Sequence, residues 1–356
     1  MYFCRMMFGS ANDYRQRCSG RDSPYTKMDI ITEGISPHIK NERTFVNKHR
    51  SKKTNTHELA PLQDASYLVR RIGEVTKLTR EQVVDRLRAE SRQLGLNVRK
   101  AFESRGLTRY QWSEEMSEFY DDTDAFLFET VIWNRTVTKQ AIRSWVETFL
   151  TQTLPKKAKI LTFGDGLGFD SLYLALAGHQ VDYFEVSQRG IQFAKGLFKD
   201  YQGDVNVLTS SDQVLPGQYD AVVCLDVLEH IPEPSNIVAF LAGALREEGY
   251  FLVHAPFWFL SPAVVTHLRE NRRFSGDVRR LYRPHGLHAV DSALFWNPIA
   301  LQKRTDGSPP KLSIGHRAQL FFGASVLWWG RFWSTPYVPF ASLMTKPSDW
   351  PDLDTV

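Results

Sequence analysis

A strand-like apolar run that breaks on three closely spaced glycines constrains this chain most. The run is AKILTFG (158–164), and Gly164, Gly166 and Gly168 follow one another at alternate positions before a helical pattern begins near Asp170. Glycine lets the backbone turn sharply and come close to a ligand, and the helix behind the turn offers free N–H groups. We therefore expect a strand, a ligand-holding loop and a helix, the opening unit of a doubly wound α/β sheet.

The alternation of strand and helix patterns continues to about residue 303. Five further short segments, nearly continuous in apolar residues, predict strands: HQVDYFEVS (179–187), DVNVLTS (204–210), YDAVVCLDV (219–227), GYFLVHAPF (249–257) and ALFWNPIALQK (293–303). Helical patterns lie between them at 170–177, 190–201, 235–245 and, rich in arginine, at about 262–282. Such runs are typical of a parallel sheet buried on both faces, with right-handed crossovers.

Before the sheet, the chain divides into a polar tail and a helical region. Residues 1–60 hold eleven Lys/Arg against six Asp/Glu, so the tail carries +5 and the remaining 296 residues carry −1. The tail has no apolar period, and we expect it to be a disordered basic tail. Residues 61–150 carry a capping box, TREQ (79–82), and helical patterns at about 108–127 and 128–150, which predict a helical lid or extension.

Composition excludes several classes of protein. The absence of an overall basic bias after residue 60 argues against a nucleic-acid binder. Three cysteines without a CxxC pair predict neither disulfides nor structural zinc and favour a cytoplasmic protein. No window of about 18 uncharged apolar residues predicts a spanning helix.

The domain prediction is therefore 1–60 tail, 61–150 helical extension, 151–303 α/β domain and 304–356 aromatic-rich tail. The last of these contains QLFFGASVLWWGRFW (319–333), which we expect to dock on the core or on a partner. Peripheral contact with a membrane surface is left open for this tail. The oligomeric state is not predicted.

The glycine loop distinguishes two ligand classes. A dinucleotide loop reads GxGxxG or GxGxxA, because a third small residue admits the pyrophosphate. Here bulky Phe169 stands at that place, and the glycines read GxGxG instead. Glu185 ends the second predicted strand, 21 residues after Gly164, and a carboxylate there can accept the hydroxyls of a ribose.

With the segment LDVLEHIPEP (225–234) after the fourth predicted strand, this pattern resembles the class I S-adenosylmethionine-dependent methyltransferases. The resemblance covers about residues 120–303 and is greatest to small-molecule enzymes such as the ubiquinone-biosynthesis O-methyltransferases. It implies a seven-stranded Rossmann-like sheet with an antiparallel last strand, S-adenosyl-L-methionine as methyl donor and a small-molecule acceptor, with O-methylation favoured. The residues it implies for the donor site are Gly164, Asp165, Gly166, Gly168, Glu185, Asp212 and Leu225.

The residues after strands four and five are the candidates for catalysis. They are Asp226, Glu229, His230 and His254, of which histidine is the natural base near neutral pH. We assign no metal site, although the spacing of the first three leaves a divalent-cation cluster open. His267, His285 and His288 fall in the segment that shapes the acceptor pocket in such folds.

Thr162 departs from the family pattern, which has an acid at this position, two residues before the first glycine. Asp165 is the nearest replacement for that charge. Because of this departure, a non-catalytic methyltransferase-like scaffold stays open as the alternative function. A nicotinamide-dependent oxidoreductase is disfavoured by Phe169 and by LDVLEHIPEP.

Overall fold

Seven strands form one mixed sheet in the order β3-β2-β1-β4-β5-β7-β6. The computed structural model describes residues 59–293, 297–333 and 350–354, so nearly all of the predicted 1–60 tail lies outside the described residues. The strands are β1 Lys159–Phe163, β2 Gln180–Phe184, β3 Val205–Leu208, β4 Tyr219–Leu225, β5 Leu245–His254, β6 Leu287–Ser292 and β7 Ile299–Lys303. The last strand, β7, is antiparallel to both its neighbours, and β1 to β5 pair in parallel. The predicted fold class is confirmed.

Helices precede, separate and follow these strands. They are α1 Ala60–Gln63, α2 Ala65–Thr76, α3 Arg80–Arg92, α4 Leu96–Ser104, α5 Glu114–Asp122, α6 Ala125–Asn134, α7 Val137–Thr153, α8 Phe169–Leu176, α9 Gln188–Asp200, α10 Pro234–Ala244, α11 Val278–Leu281 and α12 Ile314–Gly330. The predicted capping box at the start of α3 is present, because Thr79 and Gln82 bond each other's backbone N–H groups.

Two predictions of helix boundaries are wrong. The predicted pair at 108–127 and 128–150 is three helices, α5, α6 and α7, because Ser113 and Thr136 cap new helix starts with their hydroxyls. The predicted helix at 262–282 is a 3-10 segment, Arg269–Phe274, followed by the single turn of α11. Strand β6 was not predicted, because its sequence LHAVDS has little apolar character and its place depends on pairing with β7.

The helical extension and the α/β layer share one core. Leu68, Ile72 and Phe128 of the extension belong to the same buried cluster as Phe169 of α8 and Phe193 of α9. All five side chains are fully buried. The extension is therefore packed as a layer on the helices beside the glycine loop.

A buried ion network ties this layer to the sheet. Lys139 of α7 places its Nζ 3.0 Å from Asp170 Oδ2 and 2.9 Å from Asp226 Oδ2, and only 4% of its side chain is exposed. Arg143 Nε lies 2.8 Å from the other oxygen of Asp170. Burial alone would lower the pKa of Lys139, but the two carboxylates outweigh burial and raise it. The charge of Lys139 thus holds α7, α8 and the end of β4 together.

Asp165 in the glycine loop caps helix α8. Its oxygens accept from the backbone N–H groups of Asp170 and Ser171 and from the Ser171 hydroxyl. Burial, and then the charge of Asp170, raise the pKa of Asp165 to about 7. Ser171 also shares a 2.7 Å hydrogen bond with Thr162. The hydroxyls of Ser171 and Thr162 therefore link the Asp165 carboxyl to position 162, where the methyltransferases that the sequence resembles have an acid.

We predict that Lys139→Met lowers the free energy of unfolding by about 3 kcal/mol or more, because it leaves two buried carboxylates without their shared cation. Lys159→Met is the matched control, since Lys159 is more exposed and lies 3.7 Å from Asp182; it should cost no more than about 1 kcal/mol. Urea unfolding of both variants measures the difference. Equal losses would contradict the role given to Lys139.

We also predict a pH-dependent effect of Asp165→Asn on stability. A carboxyl whose folded pKa is about 7, against 3.8 for the ordinary group, contributes stability that is lost as the pH rises through this interval. The free energy of unfolding of the wild type, relative to the variant, should therefore fall between about pH 4 and pH 7, by up to about 4 kcal/mol. Parallel stability curves would contradict this ionisation behaviour.

Candidate functional site

The candidate site lies where β1, β2 and β4 end at one edge of the sheet. Gly164, Gly166 and Gly168 have φ of +72°, +60° and +82°, a region that favours glycine. A Cβ on Gly164 would lie 2.6 Å from Val227 Cγ2, and one on Gly168 would lie 2.6 Å from the ring of Phe198. The first and third glycines therefore let the loop pack against its neighbours.

The middle glycine has a different environment. A Cβ on Gly166 would meet only the Thr130 methyl, at 3.6 Å, so space remains on this side of the loop. Its carbonyl oxygen accepts a 2.6 Å hydrogen bond from the Tyr183 hydroxyl, and a Cβ on Gly190 would come 2.8 Å from that oxygen. The loop is thus fixed from the protein side and uncrowded at Gly166.

Glu185 follows β2 and holds the same loop. One oxygen accepts from the Gly166 N–H at 2.8 Å, and the other accepts from the N–H groups of Val186 and Ser187 at 2.7 and 2.9 Å. Burial raises the pKa of Glu185 in spite of these bonds. A carboxylate has about four acceptor positions, so one is left for a ligand hydroxyl at the loop.

The other residues predicted for the donor are placed as follows. Asp212 is exposed in the 3-10 turn Ser211–Gln213 after β3. Leu225 is buried at the last position of β4, opposite His254 of β5. Asp165 turns its carboxyl to the start of α8, as described above. The structure thus brings the glycines and Glu185 together, whereas the roles of Asp212 and Leu225 stay predictions.

Asp226, the first residue after β4, has φ of +62° and gathers three partners. Trp133 Nε1 donates to Oδ2 at 2.9 Å, beside Lys139, and His254 Nδ1 lies 2.6 Å from Oδ1. Burial alone would raise the pKa of Asp226, but Lys139 and then His254 hold it far below its usual range. The sequence did not single out Lys139, because nothing in its helical pattern reveals a contact 87 residues away.

The imidazole of His254 is oriented by its hydrogen bond to the Asp226 carboxylate. Its Nδ1–H donates to the carboxylate, which fixes the tautomer and leaves Nε2 as the acceptor. The chain turn after β4 makes this possible, because the backbone N–H of Asp226 donates to the His254 carbonyl at 2.8 Å. Two of the four predicted catalytic residues therefore form one hydrogen-bonded pair.

The other two, Glu229 and His230, lie in a second group with His267. Glu229 is 1% exposed, and neither of its oxygens has a hydrogen-bond partner among the residues that the structure describes. Its Oε1 lies 4.0 Å from His230 Nε2 and 3.9 Å from His267 Nε2. Burial, and then the charge of Asp226, raise the pKa of Glu229.

Both histidines of this group are neutral near pH 7. Burial lowers the pKa of His230 to about 4, and burial together with His230 lowers that of His267 to about 3. His267 donates its Nδ1–H to the Phe259 carbonyl at 2.7 Å, so its Nε2 lone pair faces Glu229. A neutral imidazole oriented by a backbone carbonyl is the usual arrangement of a metal ligand. Glu229, His230 and His267 form a candidate cation site, which Asp226 does not join.

The two remaining histidines of the predicted acceptor segment lie elsewhere. His285 and His288 line a surface pocket with Arg283 and Arg304. His285 Nε2 lies 3.1 Å from the Ser235 hydroxyl. Among the three histidines predicted near the acceptor, only His267 joins the group around Glu229.

Comparisons with known proteins agree with this arrangement. Residues 134–290 match a family model described as a methyltransferase domain. The ubiquinone biosynthesis O-methyltransferase of Bordetella pertussis is 29% identical over 162 residues, which cover 43% of this chain and 62% of that protein. The enzyme of the same name from Marinobacter nauticus is 31% identical over 101 residues, 27% of this chain and 42% of that protein. The chain thus spans less than two thirds of the length of these curated relatives.

Solved structures include distant matches. Magnesium protoporphyrin IX methyltransferase from Synechocystis PCC 6803 is 20% identical, with 59% of this chain and 97% of that chain covered and a TM-score of 0.37. The sheet order, the GxGxG loop and the match over residues 134–290 agree with one another. Residues 134–290 of this chain are therefore similar to a methyltransferase domain.

Proposed function

We propose that this protein transfers a methyl group from S-adenosyl-L-methionine to a small-molecule acceptor, with an oxygen as the favoured nucleophile. The observation that carries the proposal is the Asp226–His254 pair at the ends of β4 and β5, on the same sheet edge as the glycine loop. O-methylation is supported further by the names of the relatives, which match over less than half of this chain.

The donor fits the residues at this edge. The uncrowded Gly166 leaves space for a ligand against the loop, and Glu185 retains an acceptor position for a ribose hydroxyl. The donor supplies a methyl group that is already electrophilic, so the protein has to align the acceptor and remove its proton. Thr162 occupies the place of the missing family acid, and its hydroxyl is linked through the Ser171 hydroxyl to the Asp165 carboxyl.

His254 is the proposed base. Its Nε2 accepts the proton of the acceptor hydroxyl as the oxygen bonds to the methyl carbon, the C–S bond of the donor breaks and S-adenosylhomocysteine leaves. Asp226 stays ionised beside Lys139 and stabilises the imidazolium that results. Asp226 is therefore a positioning residue, and Lys139 and Trp133 keep it in place.

A divalent cation also fits this chain, at Glu229, His230 and His267. The fit rests on the buried Glu229 carboxylate, which has no hydrogen-bond partner in the described part of the chain, and on the two neutral imidazoles that face it. Two nitrogen ligands and one oxygen suit a transition metal such as Zn²⁺ or Co²⁺ better than Mg²⁺. When bound, such an ion would supply a Lewis acid for an acceptor oxygen.

A non-catalytic scaffold is the second candidate function. The observation that favours it is Thr162, whose hydroxyl bonds Ser171 where the family has a carboxylate. A scaffold of this kind would bind the donor without releasing S-adenosylhomocysteine, so the measurement of S-adenosylhomocysteine release below separates the two functions.

Glu185→Ala should weaken the binding of S-adenosyl-L-methionine about tenfold or more, because a hydrogen bond to a charged group is lost. Glu185→Gln, which keeps one acceptor oxygen, should lose less. Calorimetric titration measures both, with Glu118→Ala as the control because Glu118 is exposed on α5. Affinity that stays equal in all three variants would place the ribose elsewhere.

His254→Gln should reduce kcat by about 10² to 10⁴ while the affinity for the donor changes little. The measurement is the release of S-adenosylhomocysteine across a panel of phenols, alcohols and amines. His288→Gln is the matched control, since His288 lies in the separate surface pocket. Full activity of His254→Gln would remove this residue from catalysis, and no release by the wild type with any acceptor would favour the scaffold.

Co²⁺ should bind the wild-type protein and give a visible absorption band of a low-symmetry nitrogen and oxygen site. Glu229→Gln and His267→Gln should each abolish the band at equimolar metal, whereas His288→Gln should keep it. Thermal unfolding with and without the metal provides a second readout. A band of equal strength in all variants, or none in the wild type, would exclude the cation site.

A further inference from the structure

The C-terminal helix α12 packs on the protein through small residues and turns its aromatic side chains outward. Gly323, Leu327 and Gly330 are buried. In contrast, the side chains of Phe321, Phe322, Trp329, Phe332 and Trp333 are between 63% and 76% exposed. This distribution is the reverse of an ordinary surface helix, which buries its large apolar residues.

The outward face is continuous along the helix. At 3.6 residues per turn, Ile314, Phe321, Phe322, Trp328 and Trp329 fall within an arc of about 120°. Gly323, Leu327 and Gly330 fall on the opposite side of the helix. A helix of 17 residues is about 25 Å long, so the aromatic side chains form an extended apolar face.

Specific contacts fix this orientation. The Ser275 hydroxyl donates to the Leu327 carbonyl at 2.8 Å, and Gln319 Nε2 donates to the Ser292 carbonyl at 2.6 Å. A Cβ on Gly276 would lie 2.4 Å from the Ala324 carbonyl oxygen, so the two backbones touch only because residue 276 is glycine. At the end of the helix, Arg331 donates to the Arg273 carbonyl at 2.9 Å. The aromatic face is therefore held outward by the fold.

The charge beside this helix is mainly positive, although Asp277 lies near Arg331. Between Asp306 and Asp349 the sequence has no acidic residue, whereas it has Lys311, Arg317, Arg331 and Lys346. The neighbouring 3-10 segment Arg269–Phe274 adds three arginines against one glutamate. A partner for this face has to be apolar in its interior and negatively charged at its surface.

We propose that α12, together with Phe332 and Trp333, docks on an anionic lipid surface. Tryptophan prefers the boundary between headgroups and acyl chains, and arginines beside it attract anionic headgroups. A second copy of the chain fits less well. A two-fold contact across this face would bring Arg317 and Arg331 of one copy close to Arg317 and Arg331 of the other, and these like charges repel. No helix among the described residues is long and apolar enough to cross a membrane, and this proposal needs none.

The proposed docking on lipid is separate from the proposed methyl transfer and does not depend on it. Trp258 connects the two regions: a Cβ on Gly330 would lie 3.7 Å from the Trp258 side chain, and Trp258 packs edge-on against Phe259, whose carbonyl orients His267. Docking through α12 would therefore place His267 of the Glu229 group three residue contacts from the membrane-bound helix, through Trp258 and Phe259.

The test is sedimentation of the full chain with vesicles of phosphatidylglycerol and phosphatidylcholine, compared with phosphatidylcholine alone. We expect binding to the anionic vesicles that weakens with salt. The double substitution Trp329→Ser and Phe332→Ser should reduce this binding at least about tenfold, because two exposed aromatic side chains no longer enter the lipid. Leu176→Ser with Leu215→Ser is the matched control, since both leucines are exposed elsewhere on the protein; it should bind like the wild type.

Two results would overturn the proposal. One is a wild type that does not sediment with anionic vesicles, or a double variant that sediments equally well. The other is a concentration-dependent dimer in light scattering that the same double substitution abolishes, with no vesicle binding, which would assign the face to a second copy. Donor binding is measured separately on the same samples, so failure of the lipid proposal is distinguishable from failure of the proposed methyl transfer.

Discussion

The ammonium group of Lys139 is the contact on which the site depends. It lies between Asp170, at the start of the helix behind the glycine loop, and Asp226, at the end of β4. Removing it from water is costly, and only two carboxylates at about 3 Å repay that cost. Lys139 belongs to the helical extension. The extension therefore does more than cover the sheet, because it supplies the charge that holds α8 and the end of β4 together.

The same charge separates the roles of two neighbouring acids. Asp226 lies within reach of Lys139 and stays ionised, with His254 hydrogen-bonded to it. Glu229, three residues later, is buried, and its carboxylate has no hydrogen-bond donor among the described residues; burial raises its pKa. Pairs of groups whose surroundings push their pKa values apart often have different tasks in one site. Here the first acid is hydrogen-bonded to His254, the proposed base, and the second faces two neutral histidines of the candidate cation site.

The strands and the glycine loop, which depend on neighbouring residues, were predicted from the sequence. Apolar runs of four to seven residues located β1 to β4, and the glycine spacing located the loop, because strand period and turn chemistry are written in neighbouring residues. Strand β6 was missed, since LHAVDS gains its place only by pairing with β7. Helix α7 was predicted without its start, because the break at Arg135–Thr136 rests on a single hydroxyl cap.

The sequence pattern could not predict contacts between residues that lie far apart in the chain. Trp133 and Lys139 carry no motif, and their bonds to Asp226 span 93 and 87 residues. His267 was noted only as part of an acceptor segment, and its partnership with Glu229 follows from the way residues 261–268 pack. Helix α12 was expected to dock, and it does so, but which of its faces is buried depends on Gly276 in another segment.

Calorimetric titration of the purified chain with S-adenosyl-L-methionine and S-adenosylhomocysteine, with NADH and NADPH as controls, tests the central claim most directly. The account predicts micromolar binding of the first pair, no binding of the second pair, and loss of binding in Gly166→Arg, whose side chain would fill the uncrowded side of the loop. Binding of the nicotinamides, or full affinity in the arginine variant, would contradict the assignment of the glycine loop to a methyl donor.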